Sequence, residues 1–306
     1  LVFAFALLCS TSLVAQFSFN ENGTGIQSST NTASGYSSTA MGAETIASGQ
    51  FSTAMGSTSE ASGIASTAIG DQVDATGNHS TALGFYTTAS GHSSTALGFG
   101  STASGKYGAT ALGSHTIARG HTSTAIGNYT TAEDIYSFII GVHNKTDETP
   151  NPENFSFQNT AFVIGNGGHD SEGNYVGTSD TFSNAFEVLF DGTTTIAGDL
   201  NINSDARLKA NIISLGATLS KLLQIDGKTY TMKKDANHKK KIGLLAQDIE
   251  KVFPELVTET NDIKSVNYQG LVPVLINAMK EQQNEIDTYK KELDELKTMV
   301  KQLISK

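Results

Sequence analysis

The chain has 306 residues and a formal net charge of −10, with 30 glycines, four prolines, one cysteine and no tryptophan. Residues 1–203 carry three Lys and Arg against sixteen Asp and Glu, whereas residues 204–306 carry seventeen against fourteen. So few cations in the first part argue against a nucleic-acid partner, because neutralising phosphates needs clustered Lys and Arg.

The first fifteen residues, LVFAFALLCSTSLVA, form an apolar run that ends in small residues. This pattern predicts a secretory signal peptide cleaved after Ala15, incomplete at its N-terminus, and hence an exported protein. No later apolar run approaches the length that spans a bilayer, so we expect no transmembrane anchor. The single cysteine, Cys9, lies in this segment, and the mature chain is therefore expected to lack disulfides. Residues 16–32 are a polar N-terminal segment.

A 14-residue unit repeats over residues 33–145, with one 15-residue unit, and its core is A-S-G-x-x-S-T-A-φ-G. This period is typical of a β-solenoid in which each coil has two short strands joined at glycine corners. The S-T-A-φ run places Thr and φ on one face and Ser and Ala on the other. Eight coils would make a rod of about 40 Å. The φ residues are Met41, Met55, Ile69, Leu83, Leu97, Leu112, Ile126 and Ile140.

One medium-sized apolar residue per coil buries little surface in a single rod, so we expect a homotrimer in which the small Ala face lets the rods approach closely. The repeats resemble the head of YadA-type trimeric autotransporter adhesins over about residues 33–145. The resemblance implies a left-handed parallel β-roll, a trimer and cell adhesion.

Two further residue sets on the repeats allow other interpretations. A flat column of threonines could order water and bind ice, although β-branched Thr also simply suits a strand. Two of the histidines, His92 and His121, share a repeat position but lie two coils apart, about 10 Å, which is too far for a shared metal. We therefore expect surface histidines, with no metal and no cofactor. The threonines are Thr39, Thr53, Thr67, Thr81, Thr95, Thr110 and Thr124, and the other histidines considered are His79 and His115.

Residues 146–203 form a connector whose segments TAFVIGN and NAFEVLFDGTTTIAGDLNI predict strands broken by Gly and Asp turns. Beyond residue 204 the composition becomes ordinary and charged. LGATLSKLLQI (215–225) has helical spacing, GKTYTM (227–232) predicts a strand, and KIGLLAQDIEKVFPELV (241–257) predicts a strand and then an amphipathic helix stopped by Pro254.

The last segment, 275–306, has an apolar seam with alternating spacings of four and three residues, which predicts a coiled coil. A trimer fits the head better than a dimer, although the seam residues alone leave this open. An amphipathic helix packed on the chain's own core is the alternative. The seam residues are Leu275, Met279, Gln282, Ile286, Tyr289, Leu293, Leu296, Val300 and Leu303.

Three motifs, SDARLK at 204–209, IGLLAQDIEKVFPELV and VNYQGLVPVLINAMKE, occur in the order found in the intramolecular chaperone of endosialidase, serine peptidase family 74. The resemblance covers about residues 203–300. It implies a domain over 204–274 that trimerises, helps the preceding β-rich stalk to fold and then cuts itself off in a single turnover. The family's serine–lysine dyad falls on Ser204 and Lys209, and the cut falls between Asn203 and Ser204.

The residue chemistry agrees with this resemblance but leaves an alternative. A serine hydroxyl needs a base, and a lysine can be that base when burial lowers its pKa. Asp205 and Arg207 could orient the pair, although Asp205 could instead hold Lys209 charged. Without the resemblance, a simple turn or helix cap at Ser204 and Asp205 would be the better interpretation.

Together these features predict an exported homotrimeric surface adhesin or fibre at the cell surface, outer membrane or outside the cell. Its head would contact an unknown surface ligand such as a host glycan, matrix or cell surface. The first alternative is a phage or prophage tail fibre, which would be located in the virion. The second is an ice-binding or purely structural solenoid. The head has no recognisable pair of catalytic carboxylates, so we expect no enzyme acting on external substrates.

Overall fold

The structure is a computed structural model that describes residues 18–19, 26–27, 30–146, 149–233, 235 and 238–305. The chain divides into two compact units, Leu1–Asn201 and Ile202–Lys306. The predicted signal segment 1–15, with Cys9, lies outside the described residues, as does most of segment 16–32. A short antiparallel pair, Ser18–Phe19 with Ile26–Gln27, precedes the first repeat and joins its sheet.

Residues 39–142 form the predicted β-solenoid of about seven turns. Each repeat contributes a long strand to one parallel sheet, and each of the first seven long strands is followed by a two-residue strand in a second sheet. Equivalent residues pair directly, as Leu83 does with Leu97 and Thr95 with Thr110. The long strands are Thr39–Ala43, Thr53–Ser57, Thr67–Asp71, Thr81–Phe85, Thr95–Phe99, Thr110–Ser114, Thr124–Asn128 and Phe138–Val142. The short strands are Ile46–Ala47, Glu60–Ala61, Asp74–Ala75, Thr88–Ala89, Thr102–Ala103, Ile117–Ala118 and Thr131–Ala132.

The interior of the solenoid is narrow and is filled by small side chains. Ala40 and Ala47 are 0 % exposed, and their equivalents in the following coils are buried in the same way. Ser and Thr hydroxyls occupy the remaining interior positions, and Ser52 Oγ donates to the Gly49 carbonyl at 2.7 Å. A buried methyl group contributes only about 0.8 kcal/mol. The coils therefore depend more on backbone hydrogen bonds between strands than a domain with a leucine-rich core does.

The alanines do not form the outer face that we expected to bring rods together. They line the inside of a single chain, where small side chains fill most of a narrow interior; Val73 and, in the last long strand, Ile139 are the larger buried residues. The φ side chains point outwards beside the Thr column, and Leu83 and Leu97 are half-buried whereas Ile69 is exposed. The Thr/φ face of the long strands is thus on the outside of the coil, as is part of the short-strand sheet, where Ile46 is exposed.

Glycines occupy the positions where adjacent coils approach most closely. A Cβ on Gly77 would lie 2.1 Å from the carbonyl oxygen of Gly91 in the next coil, closer than any real Cβ approaches an oxygen. In the last coil Asp134 replaces this glycine. Its carboxylate accepts from the backbone N–H of Asn151 at 2.7 Å and of Thr160 at 2.8 Å. The change from Gly to Asp therefore ends the glycine column and attaches the following loop.

The extra residue of the 15-residue unit lies in a corner. Gly108 has φ +58° and its N–H donates to the His92 carbonyl at 2.9 Å. The long strands on either side stay in register, since Thr95 pairs with Thr110 and Phe99 with Ser114. The insertion is thus absorbed before the next strand begins.

The predicted connector strands are present, and the structure shows in addition that they continue the long-strand sheet. Thr160–Asn166 pairs parallel with the last long strand of the solenoid, Asn184–Leu189 pairs antiparallel with it, and Thr194–Ile196 follows at the edge. The first unit is thus one 13-stranded sheet backed over the repeats by the seven-stranded sheet of short strands.

The second unit is a small α+β region that ends in a long helix. Its helices are α1 (Leu219–Leu222), α2 (Ala246–Val252) and α3 (Leu271–Ile304). Its hairpins are Lys228–Tyr230 with Lys241–Gly243 and Val257–Thr260 with Ile263–Val266, and single 3-10 turns occur at Ser179–Thr181, Ala206–Leu208 and Pro254–Leu256 along the chain.

The core of this unit is formed by Ile249, Phe253, Leu256, Leu271 and Val274, so α2 and the start of α3 pack together. The predicted strand at 227–232 and the strand–helix order at 241–257 are confirmed. The helical spacing over 215–225 gives only the four residues of α1. The second hairpin was not predicted.

Candidate functional site

The predicted site residues lie on one short turn at the start of the second unit. The 3-10 turn Ala206–Leu208 is capped by Asp205, whose Oδ1 accepts from the Arg207 backbone N–H at 2.8 Å. Lys209 closes the turn by donating its N–H to the Ala206 carbonyl at 3.1 Å. Ser204 and Lys209 therefore flank a single turn, and their side chains can meet across it.

The two side chains do meet. Lys209 Nζ donates to Ser204 Oγ at 2.7 Å. A neutral lysine at this distance could take the serine proton, so the pair has the geometry of a nucleophile and its base. Asn203, on the acyl side of the predicted cut, is exposed, as are Ser204 and Lys209.

Asp205 does not pair with Lys209. Its carboxylate receives Arg207 Nε at 3.1 Å on both oxygens and Nη2 at 2.6 Å on Oδ2. The hydrogen bonds from Arg207 hold the pKa of Asp205 below its usual range and raise the pKa of Arg207. Of the two roles that the sequence left open for Asp205, pairing with Lys209 is therefore absent from this structure.

A second polar contact fixes the chain that follows the turn. Glu281, on α3, accepts from the backbone N–H groups of Thr218 and Leu219 at 2.5 and 3.2 Å. These bonds lower the pKa of Glu281, despite an opposing effect of desolvation. The Glu281 carboxylate thus caps α1 from a distant part of the sequence, and no local sequence motif predicted this cap.

The predicted coiled-coil seam is exposed along α3. The first turns of the helix are anchored in the core by Leu271, Val274 and Ala278. Beyond Glu281 every described residue of the helix is exposed, including Tyr289 at 67 %. The alternative interpretation, an amphipathic helix packed on the chain's own core, therefore applies only to the beginning of α3. The exposed seam residues are Leu275, Met279, Gln282, Ile286, Tyr289, Leu293, Leu296, Val300 and Leu303.

In the first unit, aromatic rings form a ladder at the ends of the later long strands, from Thr81–Phe85 onwards. Phe85 and Phe99 are 5.4 Å apart, Phe99 and His115 are 4.8 Å apart, and His115 lies 4.4 Å from Tyr129. Tyr129 stacks in turn on His143 at 4.6 Å. The ladder joins successive coils; three of its contacts are face to face, and the Phe99–His115 contact is edge to face.

His143 ends this ladder and is 0 % exposed. It packs against Phe182 and its Nε2 lies 3.1 Å from Tyr175 Oη, while its Nδ1 has no hydrogen-bond partner among the described residues. Burial, and then the nearby His169, lower the pKa of His143. The solenoid thus meets the connector at a buried histidine whose pKa is lowered.

The other corner carries the remaining histidines of the repeats, His79, His92 and His121. His79 and His92 are 5.3 Å apart, and Tyr107 separates His92 from His121. Across the described parts of the chain, no group of three His, Cys, Asp or Glu side chains could hold a metal ion. The Thr column lies beside the φ column on the long-strand face, half-buried.

Two family models match the chain. The YadA head domain repeat matches in seven overlapping windows between residues 33 and 138. The chaperone of endosialidase, Peptidase_S74, matches residues 204–258 and so begins at Ser204. The chain carries YadA head repeats and a chaperone of endosialidase domain. The solenoid is therefore the YadA-like head, and the Ser204–Lys209 turn opens the chaperone domain.

The curated relatives are long tail fiber proteins. Gp37 of Salmonella phage S16 is 36 % identical over 113 residues, 34 % of this chain and 15 % of that protein. Gp37 of Enterobacteria phage M1 is 32 % identical over 119 residues, 34 % of this chain and 47 % of that protein. The chain thus spans less than half the length of these relatives. No helix among the described residues is long and apolar enough to cross a membrane.

Proposed function

We propose that this protein is a homotrimeric phage tail-fibre protein, located in the virion, whose chaperone domain assembles three chains and then releases itself by cutting between Asn203 and Ser204. The contact that carries the proposal is Lys209 Nζ to Ser204 Oγ, 2.7 Å, at the first residue of the chaperone match. The similarity to long tail fiber proteins supports the fibre, which the sequence offered as an alternative to a surface adhesin.

The proposed reaction is a serine-dependent hydrolysis of one peptide bond. Lys209 takes the proton of Ser204 Oγ, which attacks the carbonyl carbon of an Asn203 on its own or a neighbouring chain. The C–N bond breaks as the Ser204 nitrogen receives the proton, leaving an ester between Asn203 and the serine oxygen. One water then hydrolyses the ester, giving a carboxylate at Asn203 and restoring the hydroxyl.

The exposure of the dyad in one chain gives a reason for the cut to wait for assembly. A lysine acts as a base only where burial disfavours its charge. In the single chain Ser204 and Lys209 are both exposed. Neighbouring protomers would supply that burial, so the chaperone would stay attached until three chains had met. A rod freed in this way could not refold by the same route, and its persistence would be kinetic.

Two unpartnered apolar surfaces support the trimer. The seam of α3 projects beyond the chaperone core, and the φ column lies on the outside of the head. We expect the full chain to sediment as a trimer. Ile286→Lys, in the seam, would yield monomers, whereas Thr288→Lys, outside the seam, would leave the trimer intact. A monomeric wild-type chain would refute the assembly.

Mass measurement of the expressed full chain tests the cut. We expect two pieces that meet at Asn203 and Ser204, and one intact chain for Ser204→Ala or Lys209→Ala. Ser214→Ala and Lys233→Ala, which change exposed residues of the same types in the same unit, would still be cut. A wild-type trimer that stays whole would rule out self-processing.

An exported surface adhesin is the second candidate, favoured by the YadA head repeats and the signal-like residues 1–15. The two candidates differ in location. A tail fibre would copurify with virions after induction of the source strain. An adhesin would instead be recovered from the cell surface of uninduced cells, where it would contact its surface ligand.

A further inference from the structure

The turn that presents Ser204 and Lys209 also holds a closed ion pair. Asp205 and Arg207, two residues apart, are joined through both carboxylate oxygens, with Arg207 Nη2 2.6 Å from Asp205 Oδ2. Among the described residues, no carboxylate lies within ion-pair distance of Lys209. The negative charge nearest in sequence to the serine is therefore already engaged.

The ion pair between Asp205 and Arg207 matters because Asp205 is the immediate neighbour of Ser204, and Ser204 Oγ lies 2.7 Å from Lys209 Nζ. A carboxylate released from Arg207 could turn towards the lysine. It would then hold the ammonium in its charged form, since a nearby opposite charge favours ionisation. A lysine held in this way cannot take a proton from a serine.

We propose that Arg207 is a positioning residue that keeps the Asp205 carboxylate away from Lys209, so that Lys209 remains available as the base for Ser204. The inference rests on the proposed self-cleavage and assigns a role to Asp205 and Arg207, two of the four residues between Ser204 and Lys209. Asp205 retains its own structural part, because the same oxygen that binds the guanidinium also caps the turn at the Arg207 N–H.

The pairing is local enough for this role. Both partners belong to one turn, so the carboxylate is satisfied without a group from elsewhere in the chain. Arg207 has 88 % of its side chain exposed, so the pair contributes little to the stability of the fold. Its loss should alter the chemistry of the turn more than the folding of the domain.

The test uses the rate of self-cleavage of the full chain as a function of pH. Arg207→Gln should slow the cut about threefold or more near neutral pH and move the pH–rate profile to more alkaline pH. The double variant Asp205→Asn with Arg207→Gln removes the charge that Arg207 restrains. It should therefore recover the wild-type rate within about twofold.

A second readout does not depend on cleavage. In a Ser204→Ala chain, which stays whole, amine acylation followed by mass measurement reports how much of Lys209 is neutral. Arg207→Gln should reduce the labelling of Lys209 about threefold relative to Lys233, and Asp205→Asn should restore it. Lys233 is an exposed lysine in the same unit and serves as the internal reference.

Three results would overturn the inference. Arg207→Gln could leave both the labelling and the rate unchanged. The double variant could cut as slowly as Arg207→Gln alone, which would make Arg207 a direct donor to the reacting carbonyl. Arg207→Gln could also slow the self-cleavage while leaving the acylation of Lys209 unchanged. If the wild-type chain is not cut, self-cleavage fails, and the labelling result alone decides whether Arg207 protects Lys209.

Discussion

Glu281 Oε1 accepts the backbone N–H of Thr218 at 2.5 Å and so joins two parts of the second unit that lie 63 residues apart in sequence. The same carboxylate receives the Leu219 N–H, while Thr218 Oγ1 donates to the Val274 carbonyl at 3.0 Å. The chain that follows the Ser204–Lys209 turn is thereby attached to α3, the helix that carries the predicted coiled-coil seam.

Glu281→Gln should weaken this attachment, because a neutral amide oxygen accepts the two N–H groups less strongly than a carboxylate does. The folded state lowers the pKa of Glu281, so its stabilisation is complete above the ordinary carboxyl range and is lost as the pH falls through the folded value. We expect a lower melting temperature for the variant at pH 7 and a smaller difference near pH 3. Glu285→Gln, on the exposed part of α3, is the control, and equal melting temperatures for Glu281→Gln and wild type would contradict the cap.

The interior of the head should tolerate the loss of some hydroxyls better than others. Ser80 Oγ is buried and has no hydrogen-bond partner among the described residues, whereas Ser52 Oγ donates to Gly49. Ser80→Ala should therefore stabilise the head by about 1 kcal/mol, and Ser52→Ala should destabilise it by about 1 kcal/mol. Ala109 already occupies the position equivalent to Ser80 in its own coil. Denaturant unfolding of the two variants measures the contrast, and a loss for Ser80→Ala equal to that of Ser52→Ala would refute it.

The glycine column should be intolerant of any side chain. The Cβ of Gly77→Ala would meet backbone atoms of Gly91 at 2.1 and 2.7 Å, so adjacent coils would have to separate. We expect a loss of about 3 kcal/mol or failure to form the stack. Gly198→Ala is the control, since nothing lies within 4 Å of its Cβ position. Circular dichroism and limited proteolysis compare the two, and native-like protection of Gly77→Ala would contradict the packing.

The junction at His143 should make the head sensitive to acid. The groups facing His143 are Tyr129, Tyr175, Phe182 and His169, none of which offers a carboxylate to its proton. Because its pKa is lowered in the fold, the unfolded chain takes up the proton first. Stability is complete above the ordinary histidine range and falls as the pH drops below it.

Replacing the ring tests this dependence. His143→Phe keeps an aromatic ring in the stack but cannot be protonated, so its melting temperature should fall less between pH 7 and pH 5 than that of the wild type. His79→Phe, at an exposed position on the other corner, should retain the wild-type dependence. If the melting temperature of His143→Phe falls between pH 7 and pH 5 as much as that of the wild type, His143 is not the source of the acid sensitivity.

The repeat made the solenoid predictable, because a fixed period sets both the register of the strands and the positions of the corners. It did not reveal which face is the inside. Alternation assigns Ala40 and Met41 to opposite faces but does not give the width of the coil. The interior is filled mainly by Ala, Ser and Thr, with Val73 and Ile139 as larger buried exceptions.

In the chaperone domain the motif SDARLK pointed to Ser204 and Lys209, whose side chains are in contact, whereas the long-range contacts carried no local signal. The hairpin Val257–Val266 was missed although a signal existed. Asn261 and Asp262, both with positive φ, make the two-residue turn that such a sequence favours. Helix α1 is shorter than the helical spacing at 215–225 predicts. Its N-terminus is capped by Glu281, a distant residue that the local spacing cannot indicate.

The corner at Gly108 has a further consequence for the design of the head. One added residue is absorbed there while Leu97 and Leu112 on the flanking strands remain paired. The number of residues in a corner can therefore change without disturbing the pairing of the long strands on either side. A short foreign peptide inserted beside Gly108 should be displayed on an unchanged scaffold, so the corners are where such a rod can acquire new specificity without redesigning its interior.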